Sequence, residues 1–395
     1  MGKTLPLSGN TAVAYAVKSA DVDVVSAYPI TPQTTIVEKI AEFVANGELD
    51  AEMIHVESEH SALSAAVGAS AMGARVYTAS SSQGIALMYE IMFIASSLRL
   101  PIVMTIAARA LSAPINIWND HSDFMAVSDT GWIMTMAENN QEAHDDVIIA
   151  FKVAEDPEVL LPVITALDGY FMTHTIEPIN VVEREEALDY APKRKSWYVL
   201  NPDKPITMGA LGDPQWYFEF KRQQYEALKK SREVFDRSLE EFSRKFGRRY
   251  SAAELYGEEN PEVVFVAMGH VVGNVKAYLN RMREKGMRVG VLKLKLYRPF
   301  PEDLVLKYLE GVEVVGVIDR ALVPGSPSTG PLYGDIVSTL AKHGRDVRVV
   351  DFVTGLGGRP VTHEHIEVIL TKLAELKNKP VRDLPKEPLF IGVRE

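Results

Sequence analysis

The sequence alternates short runs of β-branched residues with longer segments whose apolar residues recur at helical spacing, and this alternation constrains the fold most strongly. Up to about residue 170, buried strands are predicted at 22–29, 52–57, 74–80, 101–109 and 159–167. Helical patterns follow the first three of these runs. Strands separated by helices are typical of parallel sheets, so this part of the chain is predicted to be an α/β domain.

The same alternation returns after residue 260. Strands are predicted at 263–269, 287–296, 312–319 and 347–353, and helices at 274–286, 301–311, 332–344 and 363–377. Strand-helix units in this order predict a doubly wound parallel sheet. The predicted fold class is therefore α/β, with two parallel-sheet α/β domains.

Two segments of different character separate these patterns. Residues 175–215 are rich in proline, charge and turns, and they predict an irregular excursion. Residues 215–246 contain neither Gly nor Pro and space their apolar residues three and four apart, which predicts a long amphipathic helix. We therefore predict a first domain at 1–246, a linker at 247–260 and a second domain at 261–395.

Composition excludes several classes of function. With 42 basic and 53 acidic residues the net charge is −11, which disfavours binding to nucleic acids and anionic membrane surfaces. The chain has no cysteine, so it carries no disulfide and no cysteine-ligated zinc or iron-sulfur cluster of its own. The opening residues lack the pattern of a signal peptide, which predicts a cytoplasmic protein. Glu90, Arg99 and Pro101 interrupt the most apolar stretch, which argues against a membrane span.

In parallel α/β sheets, sites form where strands end, and the first such place is Tyr28-Pro29-Ile30-Thr31-Pro32. Prolines on either side of Thr31 fix φ and would hold its hydroxyl in place beyond the sheet edge. A simple turn that stops the strand is the alternative. Downstream, Thr35 and Glu38 have the spacing of a capping box.

The second place is the segment from His55 to His60, which contains two carboxylates and two histidines. A strand would put His55, Glu57 and Glu59 on one face and leave His60 off it, so the geometry is poor for a metal. Ser58 or Glu57 could instead cap the next helix. A catalytic interpretation needs only one carboxylate in a dry cleft.

The third and fourth places follow the next strands. Ser80-Ser81-Ser82-Gln83-Gly84 could offer free backbone N–H groups to a ligand, but it lacks the P-loop pattern. Arg109 ends an apolar strand, where a cation should either form an internal ion pair or meet an anionic ligand.

The second half of the chain shows weaker signals. Gly269-His270-Val271-Val272-Gly273 has no third glycine at dinucleotide-binding spacing, which argues against a nicotinamide site. His363-Glu364-His365 follows Thr362 and predicts a first helical turn rather than a metal site.

Taken together and in order, YPITPQT, VESEHSA, ASSSQGIALM and AARALSAPINIWNDHSDF resemble the alpha subunits of the 2-oxoacid:ferredoxin oxidoreductases, most nearly those of pyruvate:ferredoxin oxidoreductase. The resemblance continues through YRPFP and DFVTGLGGR and spans nearly the whole chain. It implies a domain that binds the aminopyrimidine of thiamine diphosphate, followed by a domain like the carboxy-terminal domain of transketolase.

The resemblance also implies partners. A beta subunit would hold the diphosphate and its Mg²⁺, and gamma- and delta-type subunits would carry the iron-sulfur clusters that pass electrons to ferredoxin. Coenzyme A would be the co-substrate if the substrate is pyruvate. No metal ligand is expected in this chain.

The family pattern implies roles for particular residues. Glu59 would hydrogen-bond the pyrimidine ring nitrogen, and Thr31 and Arg109 would contact the substrate; these three are the candidate catalytic residues. The remaining candidate cofactor contacts are Tyr28, Pro29, Ile30, Ser82 and Gln83.

Substrate choice within the family stays open between pyruvate, oxalate and other 2-oxoacids. The polar residues Asn116, Asn119, Asp120 and His121 could suit a second carboxylate such as that of oxalate. A different class of function, a non-catalytic scaffold subunit, is disfavoured because Thr31, Glu59 and Arg109 all stand at motif positions.

Overall fold

The structure is a computed structural model that describes residues 3–195, 198–283 and 287–394. The end of the predicted helix 274–286 and two residues of the segment 175–215 lie outside the described residues. The strands are β1 (Thr4–Ser8), β2 (Val24–Ala27), β3 (Glu52–His55), β4 (Val76–Ser80), β5 (Ile102–Ala108), β6 (Ile133–Met136), β7 (Val163–Asp168), β8 (Ile176–Asn180), β9 (Ala253–Gly257), β10 (Val263–Ala267), β11 (Val289–Leu294), β12 (Leu296–Arg298), β13 (Val314–Asp319), β14 (Arg348–Thr354) and β15 (Leu389–Ile391). The helices are α1 (Gly9–Ser19), α2 (Thr34–Ala45), α3 (Glu59–Ala71), α4 (Gln83–Ser97), α5 (Ser122–Ala126), α6 (Asn140–Ala154), α7 (Arg184–Tyr190), α8 (Tyr217–Phe246), α9 (Val271–Arg283), α10 (Glu302–Tyr308), α11 (Pro331–Lys342) and α12 (His363–Leu376).

The first domain is built on a sheet with the order β12-β6-β7-β5-β4-β2-β3, in which every pair except β12 with β6 is parallel. Buried residues of α1, α2 and α6 form the hydrophobic core on one face, and those of α3 and α4 cover the other. Because both faces are covered, the strands read as near-continuous apolar runs. The predicted α/β class is confirmed.

The second sheet has the order β15-β14-β13-β10-β11-β9, and all its pairs are parallel except β11 with β9. Helices α9 and α12 pack on one face, while α10 and α11 pack on the other. Its four main strands and helices fall where the sequence predicts them.

Two strands cross the predicted domain bounds. Strand β9 lies inside the predicted linker 247–260 and forms the edge of the second sheet beside β11. Strand β12, from the second half of the chain, pairs antiparallel with β6 and forms an edge of the first sheet. One hydrophobic cluster also contains residues of both sheets, including Met104 and Val264. The bounds at 246 and 261 stay a prediction.

The sequence missed some elements. The segment 175–215 was predicted to be irregular, but it contains β8, which pairs with β1, and the short helix α7. The helix at 215–246 is confirmed as α8, which buries Phe235, Leu239 and Phe242. Tyr225 belongs to the same series of apolar residues spaced three and four apart, but it is 62% exposed because the amino-terminal turns of α8 extend beyond the core.

The start of α2 also differs from the prediction. Thr35 does not cap the helix, which begins at Thr34 after Gln33. The turn before it already satisfies the first free N–H groups, since the backbone N–H groups of Gln33 and Thr34 both donate to the carbonyl of Ile30, at 2.8 and 3.1 Å. The hydroxyl of Thr35 instead accepts a hydrogen bond of 2.6 Å from Asn10 Nδ2.

Candidate active site

The candidate residues gather at one edge of the first sheet. The loops after β2, β3, β4 and β5 all leave from the carboxyl ends of adjacent parallel strands. The chain goes from β2 outward to β3 and then returns to β4 on the other side of β2, so its winding direction switches between β2 and β4. Ligands of open α/β sheets bind in the crevice at such a point.

The loop after β2 is held in place by the buried side chain of Gln33, a residue to which the sequence pattern assigns no role. Gln33 is fully buried, donates from Nε2 to the carbonyl of Ala79 at 2.7 Å, and accepts from the backbone N–H of Ile30 at 3.3 Å. Tyr28, Pro29 and Thr31 are exposed above this anchor. The loop therefore presents Tyr28 to Thr31 outward on a rigid base.

Glu59 is the first residue of α3 and is only 7% exposed. Ser58 caps the helix by accepting from the backbone N–H of Ser61 at 3.3 Å, which confirms one of the two predicted caps. Within residues 3–195, 198–283 and 287–394 the Glu59 carboxylate has no hydrogen-bond or ion-pair partner. A buried carboxylate without a partner is costly, and this makes Glu59 a candidate ligand-binding group.

The Glu59 carboxylate lies against the start of α4. A Cβ built on Gly84 would stand 2.6 Å from Glu59 Oε1 and would also collide with Ser80 Oγ. That hydroxyl is buried and has no hydrogen-bond partner among the described residues. Glycine at position 84 is therefore what leaves room for the carboxylate.

Ser82 and Gln83 form the turn between β4 and α4. Ser82 is fully buried with φ of 49°, an uncommon conformation for a residue other than glycine. Its hydroxyl oxygen lies 2.5 Å from the carbonyl oxygen of Ala110 and 2.6 Å from Gln83 Oε1, and its single proton can go to either of them. Ser82 thus uses its hydroxyl within the protein, while Gln83 is half-buried at the crevice.

Asp123, in the short helix α5, joins two of the site loops. It is fully buried, and its Oδ2 accepts from the backbone N–H groups of Ser82 at 2.7 Å and Arg109 at 3.0 Å. Burial raises the pKa of Asp123 to about 8, while these N–H groups favour the charged form. No spacing rule marks this aspartate in the sequence, because its partners are backbone groups of distant loops.

Arg109 follows β5 and is 6% exposed. Its Nε donates to the carbonyl of Asn116 at 2.7 Å, and its Nη1 donates to the carbonyl of Thr31 at 2.9 Å. Burial lowers the pKa of Arg109, and the nearby Asp123 opposes the shift. Among the described residues Nη2 has no acceptor, so the guanidinium is held on one side and free on the other.

The structure therefore brings together Thr31 and Arg109 directly, and Ser82 and Arg109 through Asp123. Glu59 follows β3, which is the neighbour of β2 in the sheet, and its carboxylate lies beside Gly84. No hydrogen bond joins Glu59 to Thr31 or Arg109 among the described residues.

The four polar residues expected to suit a second substrate carboxylate already have partners within the protein. Asn116 Nδ2 donates to the carbonyl of Gly357 at 3.1 Å, and Asn119 Nδ2 donates to that of Ala108 at 3.0 Å. Asp120 Oδ2 accepts from the backbone N–H of Gly357 at 3.1 Å.

His121 completes this set, because its Nε2 lies 2.9 Å from Asp168 Oδ1. All four side chains hold the loop after β5 against the rest of the chain. This arrangement argues against their use in binding a dicarboxylate.

The predicted helix start at Thr362 is confirmed. The Thr362 hydroxyl accepts from the backbone N–H of His365, and His365 Nδ1 accepts from the backbone N–H of Thr362 at 3.3 Å. His365 is thus part of a capping box.

Two protein families match the chain. Residues 15–238 match the family described as "Pyruvate flavodoxin/ferredoxin oxidoreductase, thiamine diP-bdg". Residues 261–366 match the family described as "Pyruvate:ferredoxin oxidoreductase core domain II".

No helix of the described residues combines the length and the apolar character that a membrane span requires.

Relatives of known function are similar over nearly the whole chain. Pyruvate synthase subunit PorA of Methanocaldococcus jannaschii is 45% identical over 395 residues, covering 98% of each chain. PorA of Pyrococcus furiosus is 46% identical over 394 residues, covering 98% of this chain and 97% of the relative. Ketoisovalerate oxidoreductase subunit VorA of Pyrococcus horikoshii is 42% identical over 365 residues, covering 92% of each chain.

Solved structures share the fold. A 2-oxoglutarate:ferredoxin oxidoreductase from Magnetococcus marinus superposes with a TM-score of 0.70 at 20% identity, covering 94% of this chain and 65% of that one. A split-gene transketolase superposes with a TM-score of 0.58 at 12% identity, covering 95% of this chain and 100% of that one. With the family matches and the relatives above, the conclusion is direct: this chain belongs to the alpha-subunit family of the thiamine-diphosphate-dependent 2-oxoacid:ferredoxin oxidoreductases.

Proposed function

We propose that this chain supplies the aminopyrimidine half of a thiamine diphosphate site and the anchor for the substrate carboxylate, in a complex that oxidatively decarboxylates pyruvate. The single observation that carries the proposal is Glu59, a buried carboxylate with no partner among the described residues, in a space that exists because residue 84 is glycine. A group with this need for a hydrogen-bond donor fits a protonated ring nitrogen.

The residues at the crevice fit the aminopyrimidine. Besides Glu59, the buried hydroxyl of Ser80 has no partner in the part of the chain that the structure describes, and the half-buried Gln83 lies at the start of α4. Tyr28, Pro29 and Ile30 would form the wall on the β2 side, and the backbone at Ser82 would form the opposite one. When bound, thiamine diphosphate supplies the nucleophilic carbon and the electron sink for decarboxylation.

The proposed role of Glu59 is to accept a hydrogen bond from the ring nitrogen. Its carboxylate would hold the ring in the tautomer whose exocyclic nitrogen can take up a proton. Because Glu59 is only 7% exposed, this hydrogen bond would be stronger than one at the surface.

The role of Arg109 is to bind the substrate carboxylate. The guanidinium is fixed by the carbonyls of Thr31 and Asn116, and its Nη2 is free for an anion. A buried, preorganised forked cation binds a carboxylate strongly and with defined geometry. Thr31 is exposed, and its own main-chain carbonyl holds Arg109. Its hydroxyl would therefore be able to donate to the substrate that Arg109 binds.

Pyruvate is the proposed substrate. Relatives named pyruvate synthase subunit are 44% to 46% identical to this chain, and one named ketoisovalerate oxidoreductase subunit is 42% identical. The polar residues that could have met a second carboxylate are used within the protein, which disfavours oxalate.

The rest of the reaction requires other chains. We assign the diphosphate and its Mg²⁺ to a beta subunit, the iron-sulfur clusters to gamma- and delta-type subunits, and the electrons to ferredoxin. Coenzyme A would accept the acetyl group, so that pyruvate is oxidised to acetyl-coenzyme A and CO₂ while ferredoxin is reduced. The complex would work in the cytoplasm.

Substitution of Glu59 by Gln in the assembled complex tests the catalytic role. Activity should fall about 10²- to 10⁴-fold, because a neutral amide lacks the negative charge with which the carboxylate would stabilise a protonated ring nitrogen. Glu57→Gln is the matched control, since Glu57 lies two residues away, is exposed and is not assigned to the site. Full activity of the Glu59 variant would support a non-catalytic scaffold subunit instead.

Steady-state kinetics of the complex with pyruvate, 2-oxoisovalerate, 2-oxoglutarate and oxalate tests the substrate. We expect the highest kcat/KM with pyruvate and dependence of that activity on coenzyme A. A higher kcat/KM with any of the other acids would contradict the assignment of pyruvate while leaving the role of Glu59 intact.

A further inference from the structure

We propose that the second domain takes part in substrate binding, because Gly357 and Gly358 position Arg109 through the loop after β5. This inference rests on the proposed role of Arg109. It concerns a turn that lies 241 residues after Asn116 in the sequence and carries no reactive group.

The loop after β5 is a compact unit built around Arg109. Arg109 Nε donates to the carbonyl of Asn116, and the backbone N–H of Ala110 donates to the carbonyl of Trp118 at 3.0 Å. Asn116 Oδ1 in turn accepts from the backbone N–H of Trp118 at 2.7 Å. A shift of residues 116–118 therefore moves the carbonyl that orients the guanidinium.

The second domain holds that same stretch. The carbonyl of Gly357 accepts from Asn116 Nδ2 at 3.1 Å, and the backbone N–H of Gly358 donates to the carbonyl of Asn119 at 2.5 Å. The backbone N–H of Gly357 donates to Asp120 Oδ2 at 3.1 Å. Every one of these contacts uses the backbone of the turn, so they depend on how closely the turn approaches.

Both positions require glycine for that approach. Gly357 and Gly358 have φ of +60° and +84°. A Cβ on Gly357 would stand 2.6 Å from Asn116 Nδ2, while one on Gly358 would stand 3.0 Å from Trp118 Cγ and nearer still to its Cβ. Since the Cβ of Trp118 is fixed to the backbone, a side chain at 358 must displace the loop itself.

The turn that contains Gly357 and Gly358 cannot easily move away from the loop, because the buried Arg320 hydrogen-bonds its backbone. Arg320 Nη2 donates to the carbonyl of Gly355 at 3.3 Å, and Arg320 Nη1 donates to Asp168 Oδ1 at 2.7 Å. The carbonyl of Arg320 also accepts from the backbone N–H of His121 at 2.8 Å. Arg320 and Asp168 are both fully buried, so the turn and the loop rest on one rigid base.

Gly358→Ala in the assembled complex tests the inference. We expect the KM for pyruvate to rise about 10- to 100-fold, because small displacements of a binding group cost this much, while thiamine diphosphate affinity stays unchanged. Gly344→Ala is the matched control, since Gly344 has φ of +64° in the same domain and nothing within 4 Å of an added Cβ. It imposes a similar backbone strain without the contact and should leave KM unchanged.

A double variant separates positioning from a loss of stability. If Gly358 acts through Arg109, the variant Arg109→Lys with Gly358→Ala should have nearly the same KM as Arg109→Lys alone. Additive effects on KM would overturn the inference. An unchanged KM in Gly358→Ala beside a raised KM in Arg109→Lys would overturn it too, whereas an unchanged KM in Arg109→Lys would contradict the proposed function.

If Gly358→Ala does not assemble, Asn116→Ala is the second variant. It removes the Nδ2 contact to Gly357 and the Oδ1 contact to Trp118, and it keeps the main-chain carbonyl that binds Arg109. We expect a smaller rise of the pyruvate KM in the same direction, and an unchanged KM would refute the inference.

Discussion

The carboxylate of Glu59 lies against the α-carbon of Gly84, where a methyl group would stand 2.6 Å from Oε1. The two residues are 25 positions apart and come together because α3 and α4 begin at the same sheet edge, after β3 and β4. The missing side chain at position 84 therefore leaves the space that the Glu59 carboxylate occupies.

Gly84→Ala should therefore impair the cofactor site. We expect the concentration of thiamine diphosphate that gives half-maximal activity to rise at least about tenfold, because the added methyl group displaces Glu59. Gly68→Ala in α3 is the matched control, since nothing lies within 4 Å of its added Cβ. The control should keep full activity and gain about 0.5–1 kcal/mol of stability from alanine's helix propensity. Equal cofactor dependence of the two variants would contradict this assignment.

Arg109→Lys should raise the KM for pyruvate about tenfold or more and change kcat less. A lysine keeps the charge, but its three N–H groups share one nitrogen and cannot reproduce the planar fork that spans Thr31, Asn116 and a substrate carboxylate. Arg382→Lys is the control, because that side chain is 86% exposed. Kinetics over a range of pyruvate concentrations measure the split between KM and kcat, and a fall in kcat alone would count against substrate binding by Arg109.

A pair of buried acids in the second domain predicts a pH dependence of stability. Burial raises the pKa of Asp351 to about 7; burial, followed by the charge of Asp351, raises that of Asp319 to about 8. Asp351 Oδ1 has no hydrogen-bond partner among the described residues. The folded state thus binds more protons than the unfolded state between about pH 4 and 8, so stability should fall as the pH rises across that range and level off above it.

Asp351→Asn should weaken that dependence. The amide oxygen can still accept from the backbone N–H of Gly330, and the variant should be more stable than the parent by on the order of 2 kcal/mol at about pH 9. This advantage should shrink towards about pH 5. Urea unfolding at several pH values measures it, with Asp346→Asn as an exposed control. A constant difference across the pH range would exclude titration of Asp351 as the cause.

A buried ion pair stabilises the first domain. Arg75 donates from Nε and Nη2 to the carboxylate of Glu155 at 2.9 and 2.6 Å, and both side chains are almost fully buried. Arg75→Met should destabilise the chain by about 3–5 kcal/mol, because the buried Glu155 carboxylate loses its ion-pair partner and keeps only the backbone N–H of Arg194 at 3.2 Å. The double variant with Glu155→Leu should recover part of the loss. Thermal unfolding measures both, and Lys372→Met, which removes an exposed pair with Glu375, should change stability by less than about 1 kcal/mol.

Much of the site was readable from the sequence because each candidate residue follows a strand that its local pattern identifies. Thr31, Glu59, Ser82 and Arg109 lie where β2, β3, β4 and β5 end, and parallel pairing places those ends side by side. The catalytic roles of these residues were implied by resemblance and stay predictions.

Other parts were not readable because they depend on contacts between distant segments. Gln33 and Asp123 act on backbone groups of other loops, which no spacing reveals. The partners of Asn116 and His121, which are Gly357 and Asp168, were hidden for the same reason.

Local periodicity and chain direction are enough to predict the class of the fold, the order of most strands and helices, and the strand ends at which chemistry can occur. Which polar side chains remain free depends on tertiary packing. Among the described residues, packing leaves Glu59 without a partner, joins Arg109 to Thr31, and sets the turn of the second domain against the loop after β5. Hydrogen bonding and burial are properties of pairs of groups, and the pattern around one residue does not identify its partner.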